Sequence, residues 1–496
     1  MATPQQPLPA TTLPATPPKA LKLDTIQGDI LSGLPKKTET LYFFQIKDVA
    51  KFRKDLRNLI PHIKTASQVI EDRKAIDDYK RGHHGCEGHR PALIPMVGVN
   101  IAFSHLGFKK LGIDDAKLND SAFFAGQRVD AGQNLLDKGA GEGANFSPDW
   151  EEPFKKDIHG VIILAGDSHA TVEAKLHKIK EIFGVGLGGA KDSIVEVTTV
   201  RGDARPGDQS AHEHFGYLDG ISNPAIVGFD KNVPPGPAPI DAGHVLLGET
   251  GDALPRDPWM VDGSFLVFRY LFQKVPEFDD FVDRNALQLP GLTRKEGADL
   301  LGARLVGRWK SGAPLDLTPF MDDPELGPDP SKNNNFHFKA EATFQKMCPF
   351  AAHVRKTLPR DDLERLPGFS LAKNRIMRRG IQFGPEVTKA ERSAKKTFHG
   401  RGLLFLAYQA SIVNGFQFIQ KSWVNNTGFP FGTPEVPGVD PILGQGPGRD
   451  IGITGYDPND PKAVLKLDAE WVIPRGGEYF FSPSIKGLSD AIAASA

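Results

Sequence analysis

Cysteine is nearly absent: Cys86 and Cys348 are the only two in 496 residues. Two thiols cannot build a disulfide framework or a Cys-rich metal site, so cysteine usage says nothing about the compartment. The roughly 18 consecutive apolar residues of a membrane span are also lacking. The longest runs, such as 161–165 (VIILA), suit buried strands instead. No charge of one sign is in excess either, with Lys and Arg totalling 60 against 61 Asp and Glu. Without a basic block there is no source for the salt-dependent phosphate affinity of a nucleic-acid binder. Neither nucleic acid nor a membrane is therefore expected as a partner. The opening twenty residues (MATPQQPLPATTLPATPPKA) lack the charged start and apolar centre of a secretory signal. Having almost nothing to bury, they are expected to be disordered.

What remains is ordinary for a globular protein, with 40% apolar and 24% charged residues. The length favours two domains or one large double module. Strands are expected at 40–46, 96–103, 159–165 and 193–200, with helices after the first three. The third helix is capped by Asp167 or Ser168 and closed by Gly184. The pattern then restarts with a strand at 264–272, where Val275 and Phe278 repeat the spacing of Val49 and Phe52. Further strands are expected at 402–407 and 477–482. Between the halves, 232–243 (NVPPGPAPIDAG) reads as a connection. No G-x-G-x-x-G follows a strand, so the expected class is α+β, with two ferredoxin-like modules built on antiparallel sheets. The expected division is an arm at 1–22, an N-terminal module at 23–231 and a C-terminal module at 244–496.

Four segments carry chemistry. In 215–224 (FGYLDGISNP) glycines flank Asp219 and an Asn-Pro turn follows, so the backbone bends to aim one carboxylate. On spacing alone this reads as a surface turn with a solvated Asp. His353 sits in 348–357 (CPFAAHVRKT), one histidine among 14. Arg378 is the first of an Arg pair in 375–380 (RIMRRG), which by itself reads as a solvated rim. Leu403 and Phe405 lie two apart on the strand at 402–407 and so share a face, as core pairs do.

Together these segments resemble the dye-decolourising peroxidases, from about 25–31 (TIQGDIL) through 483–485. The resemblance implies haem b held in the C-terminal module, with His353 as axial ligand to the iron and Asp440, in 437–441 (PGVDP), accepting from its other nitrogen. It implies Asp219 as distal acid–base group, Arg378 beside it, and Leu403 and Phe405 as the wall of the access path. Arg355 and Arg360 are candidates for the haem propionates, or are surface arginines. Trp423 matches a surface tryptophan that passes electrons from bulky donors, or is a packed indole. The implied function is hydrogen peroxide-driven one-electron oxidation of dyes, phenols and other aromatic donors. Haem carriage with little turnover is the alternative.

Manganese(II) is a further candidate donor, with Asp361, Asp362 and Glu364 as its site. The tract 83–89 (HHGCEGH) is either a metal site or a loop. Location is expected to be extracellular, with the cytoplasm as alternative; sequons at Asn119, Asn145 and Asn425 permit secretion.

Overall fold

Strand β1 (Thr38–Ile46) is rich in β-branched and aromatic residues, and its two faces enter two different cores. Tyr42, Phe44 and Ile46 pack with the helices, whereas Leu41 and Phe43 face the interior between the modules. This double burial explains why β1 shows no apolar–polar alternation. The computed structural model describes residues 20–82, 93–186, 191–446 and 450–494. Nearly all of the expected N-terminal arm, the 83–89 tract and Cys86 lie outside the described residues.

Helix α1 (Val49–Leu59) follows, capped by Asp48, whose side chain accepts the Lys51 N–H at 3.0 Å. After α2 (Ala66–Gly82) come β2 (Val97–Phe103), β3 (Gly160–Gly166), α3 (His169–Ile182) and β4 (Ile194–Asp203). Ser168, not Asp167, caps α3. The second half begins with β5 (Ser264–Gln273) and α4 (Val275–Arg284), then α5 (Arg294–Val306) and the short α6 (His353–Thr357). Strands β6 (Met377–Arg378), β7 (Ile381–Phe383), β8 (Gly402–Gln409) and β9 (Val472–Ser482) complete it.

The sheet order is β4-β1-β3-β2-β9-β5-β8-β6, with β7 also on β8, and every ladder in it is antiparallel. Each half has the order fourth-first-third-second, which is the ferredoxin-like arrangement twice over. They meet edge to edge where Phe481 of β9 pairs with Phe103 of β2. The free ends curl towards each other: a Cβ on Gly202 of β4 would lie 2.3 Å from Ile381 of β7. Only a glycine permits that approach.

Helices α2 and α5 are absent from the sequence expectation. In α5, Gly297 and Gly302 weaken the helical signal. Gly302 has a packing reason, because a Cβ there would sit 2.4 Å from the Tyr217 hydroxyl. The loop carrying Asp219 thus rests directly on α5.

Candidate functional site

Glu213 shapes the loop after β4. One carboxylate oxygen accepts the Tyr217 N–H at 2.8 Å, and the other accepts the Phe215 N–H at 2.9 Å and the Gln273 amide of β5 at 2.6 Å. Gly216 (φ +93°) and Gly220 (φ +81°) then take the left-handed turns that present Asp219. Asp219 Oδ1 accepts the Gly220 N–H at 2.6 Å and the Arg378 Nη1 donor at 2.7 Å. Burial would raise the Asp219 pKa. The Arg378 guanidinium, its hydrogen bond and the Gly220 N–H outweigh that effect and hold the carboxyl below its ordinary value. Arg378 is fixed in turn by β6, which pairs with Ala407 of β8.

His353 opens α6 and faces the same cavity. Its Nδ1 hydrogen-bonds Asp440 Oδ2 at 2.7 Å, while Asp440 Oδ1 accepts the backbone N–H groups of Ile442 and Leu443. Asp440 is wholly buried, so its orientation is fixed. Burial pulls the His353 pKa down, but Asp440 more than compensates and raises it. With Nδ1 committed, Nε2 is left for a ligand in the cavity. Both Arg378 and Asp219 act electrostatically on His353, which ties the three groups to one space.

The cavity holds about 1560 Å³ of empty space, part of it open to solvent. Its sheet wall is Leu271 and Gln273 of β5 with Leu403 and Phe405 of β8, since Leu403 pairs with Leu271. Arg308 and Arg375 also reach it. Arg308 is largely satisfied by the Gly312 and Asn333 carbonyls and by Asn334. Arg375 differs: it is 8% exposed, and among the described residues its guanidinium has no hydrogen-bond acceptor and no ion pair. Burial lowers its pKa to about 10. A buried cation facing a cavity, with Glu364 acting on it only from beyond ion-pair distance, calls for an anionic ligand. The buried Ser222 hydroxyl, also unpartnered, lines the same space. A large, mostly apolar cavity with one imidazole nitrogen available and an unpaired guanidinium fits a flat macrocycle carrying carboxylates.

Three expectations are corrected. Arg355 and Arg360 do not reach the cavity. Arg355 is fully buried and forks onto Asp362 at 2.7 Å for each bond, with the Cys348 and Glu341 carbonyls taking its remaining donors. Arg360 donates to Asn334 and Phe336. Trp423 is not at the surface: it is 3% exposed and stacks on Phe429 at 5.3 Å. The cluster Asp361, Asp362 and Glu364 is not a manganese set. Asp362 belongs to Arg355, Glu364 accepts the Leu371 N–H, and no group of three or more His, Cys, Asp or Glu among the described residues is placed to hold a metal ion.

Glu213, Asn223, Arg308 and Arg375 are site residues the sequence reading misses. Asn223, in the Asn-Pro turn, and Arg375, at the start of 375–380, stand in segments the sequence singles out, but neither is given a role there.

Comparison with known proteins followed the same outline. A family model described as "DyP dimeric alpha+beta barrel domain" matches residues 25–206, and one described as "Dyp-type peroxidase, C-terminal" matches 214–429. The chain is 42% identical to the dye-decolorizing peroxidase msp1 of Mycetinis scorodonius, over 99% of this chain and 92% of that protein. It is 41% identical to the dye-decolorizing peroxidase of Exidia glandulosa, over 97% and 90%. Among solved structures, a variant of the dye-decolorizing peroxidase from Pleurotus ostreatus is similar with a TM-score of 0.90 at 54% identity, covering 97% of this chain and 100% of that one. A dye-decolorizing peroxidase in complex with 2,6-dimethoxyphenol gives a TM-score of 0.84 at 42% identity, covering 96% and 100%.

Proposed function

The chain belongs to the dye-decolourising peroxidases, and on that premise we propose that the cavity bounded by Asp219, Arg378 and His353 is where it uses hydrogen peroxide. It is a peroxidase that oxidises dyes and other aromatic donors. The observation that carries the site assignment is the Asp219–Arg378 pair facing an imidazole whose Nδ1 is held by Asp440.

The family's enzymes use haem, and His353 Nε2 would hold its iron while Arg375, with Arg308 nearby, would meet its carboxylates. When bound, haem supplies the redox chemistry: two-electron reduction of peroxide, followed by two one-electron oxidations of donors. We read the group as haem b, as the family resemblance implies; the sequence has no C-x-x-C-H motif for covalent thioether links. Cys348 is buried, its thiol pushed up to about 12 by that burial, and it does not line the cavity.

The chain's own part is proton handling and exclusion. Asp219 is ionised at rest, so Oδ1 or Oδ2 can take the proton from the near oxygen of peroxide and return it to the far oxygen, which leaves as water. Arg378 is a permanent cation at 2.7 Å from that carboxylate and stabilises the charge that develops as the O–O bond breaks. Leu403 and Phe405 narrow the approach, so small donors enter while bulky dyes give up electrons from outside.

Among the described residues no helix is long and apolar enough to cross a membrane. An extracellular location is part of the proposal; Asn119 is exposed and open to glycosylation, Asn145 is exposed but its sequon is weakened by Pro148 after it, and the Asn425 amide is bonded to Leu135, Gln420 and Gln445. Absorption spectra before and after peroxide test the site, with Asp219→Asn and His353→Ala beside the parent and a one-electron dye present. Steady dye oxidation by a parent with a Soret band is expected. Stoichiometric haem transfer without turnover would favour the carrier reading, and a parent without the band would end the haem reading.

A further inference from the structure

A second cleft opens on the outer side of the loop that presents Asp219. It has about 770 Å³ of empty space including open solvent. Phe215 lines both this cleft and the central cavity, so the two are separated there by a single side chain.

The cleft is cationic, with Lys310 and Arg392 at its exposed rim. Arg205 and Glu386 neutralise each other through two bonds of 2.8 and 2.7 Å, and Arg205 also binds the Glu213 carbonyl. That leaves Lys310 and Arg392 against Asp279. Among the described residues neither cation makes an ion pair within 4.0 Å, and burial raises the Asp279 pKa in spite of both. One positive charge is therefore in excess. Lys310 Nζ stands 5.9 Å from the centre of the Tyr217 ring.

Two imidazoles line the same cleft. His214 is 4% exposed and donates through Nε2 to the Phe383 carbonyl at 2.9 Å. That bond makes its Nδ1 an acceptor, and this Nδ1 is buried with no partner. The His212 ring instead meets the Lys310 and Asp208 backbone carbonyls as a donor. The His214 Nδ1, a buried acceptor without a donor, is costly and calls for a hydroxyl or N–H. Phe215, Val275 and Val387 supply apolar surface between the cations and the imidazoles.

We propose that this cleft is a docking site for aromatic carboxylates that carry a phenolic hydroxyl, with Lys310 and Arg392 receiving the carboxylate and the orphaned His214 Nδ1 receiving the hydroxyl. The site is separate from the central cavity and would gather such donors beside it. Only that last consequence rests on the peroxidase reading.

Calorimetric titration of the haem-loaded protein without peroxide tests the docking itself, using 4-hydroxybenzoate, 4-methylbenzoate and phenol as probes. The expected result is one 4-hydroxybenzoate bound per chain, more tightly than either single-function probe, with affinity falling as salt rises. In the Lys310→Gln/Arg392→Gln double variant the affinity should drop roughly ten-fold or more. In Arg378→Leu, which removes the central cavity's own distal cation, it should stay at the parent value. Equal binding by the double variant, loss in Arg378→Leu alone, or no preference over phenol would each overturn the proposal. Because no turnover is read, a failed titration leaves the peroxidase assignment standing, and a failed peroxidase assay leaves the docking site standing.

Discussion

Asn223 grips Arg378 by its backbone at both ends of the amide: Oδ1 accepts the Arg378 N–H at 3.0 Å, and Nδ2 donates to the Arg378 carbonyl at 3.2 Å. Asn223 belongs to the loop of Asp219 and Arg378 to the strand β6. The amide therefore fixes the distance over which the Asp219–Arg378 ion pair forms. Asn223→Ala is expected to leave haem content and the resting spectrum unchanged while slowing the reaction with peroxide about ten-fold, since small misplacements of catalytic groups are costly. Stopped-flow rates at varied peroxide measure this, and a rate equal to the parent's would show that the clamp does not position Arg378.

The pH dependence follows from the same pair. On the proposed role the basic form of Asp219 is the working form, and Arg378 holds its pKa below the ordinary value of about 4. The peroxide rate should therefore persist from neutral pH down through about pH 4 and fall only below it. Removing Arg378 leaves burial opposed only by the Gly220 N–H and His353, so in Arg378→Leu the acid limb should move to higher pH, with a lower plateau. Asp219→Asn should lose about 10²–10⁴ of the rate at every pH. Full activity at pH 8 with none at pH 4 in the parent would remove Asp219 from this role.

The proximal pair gives a readout independent of turnover. Asp440 is buried and accepts from His353 Nδ1, which orients the ring and raises its basicity. Asp440→Asn should weaken haem retention by about 10–100-fold and shift the haem reduction potential upward. Spectroelectrochemistry and haem transfer to an acceptor protein measure both. An unchanged potential would mean that the Asp440 carboxylate does not tune the ligand.

How much of this was legible in the sequence depended on where each residue's partner lies. Asp219, His353 and Arg378 stand in short local patterns, and strand spacing alone puts Leu403 beside Phe405. Arg355 is misleading because it is near His353 in sequence. Two residues on in an α-helix is about 200° round the axis, so Arg355 points away from the cavity and into Asp362. Glu213 takes its role from contacts that form only in the tertiary fold, and Arg375, though it opens the 375–380 segment, is singled out there only by its burial against the cavity. Trp423 is flanked by Lys421 and Ser422, which suggests a surface, yet its indole turns inward onto Phe429 and Phe418.

Arg375 is the test of what the cavity holds. Its guanidinium is buried, lines the cavity and is unpaired among the described residues. If it meets a haem carboxylate, Arg375→Ala should lower haem affinity about 10-fold or more, the worth of one charge-assisted bond, and apoprotein stability should rise because a buried charge is removed. Arg355→Ala should do the reverse: little direct effect on haem affinity, but a loss of about 3–5 kcal/mol in stability, because Asp362 is left buried and unpaired. Haem titration and thermal unfolding of both apoproteins separate the two. The same ranking for both variants would mean that Arg375 is not a ligand to the cofactor.

The burial of Trp423 changes what its substitution should do. A surface indole that collects electrons from bulky dyes must be reachable by them, and Trp423 is not, with Phe429 stacked on one face at an interplanar angle of 13° and Phe418 at its edge. Its neighbours Ile419, Gln420 and Val424 line the central cavity, so the indole braces that wall from behind. Trp423→Ala should therefore cost about 3–5 kcal/mol in stability and loosen haem binding with it. Trp423→Phe keeps most of the packing and should reduce small-phenol and bulky-dye oxidation to a similar, modest extent. Steady-state kinetics with 2,6-dimethoxyphenol and a large anthraquinone dye decide the matter. A sharp loss confined to the large dye, with the haem spectrum and the peroxide rate intact, would mean that electrons pass through the buried indole after all and that burial is no bar to the relay.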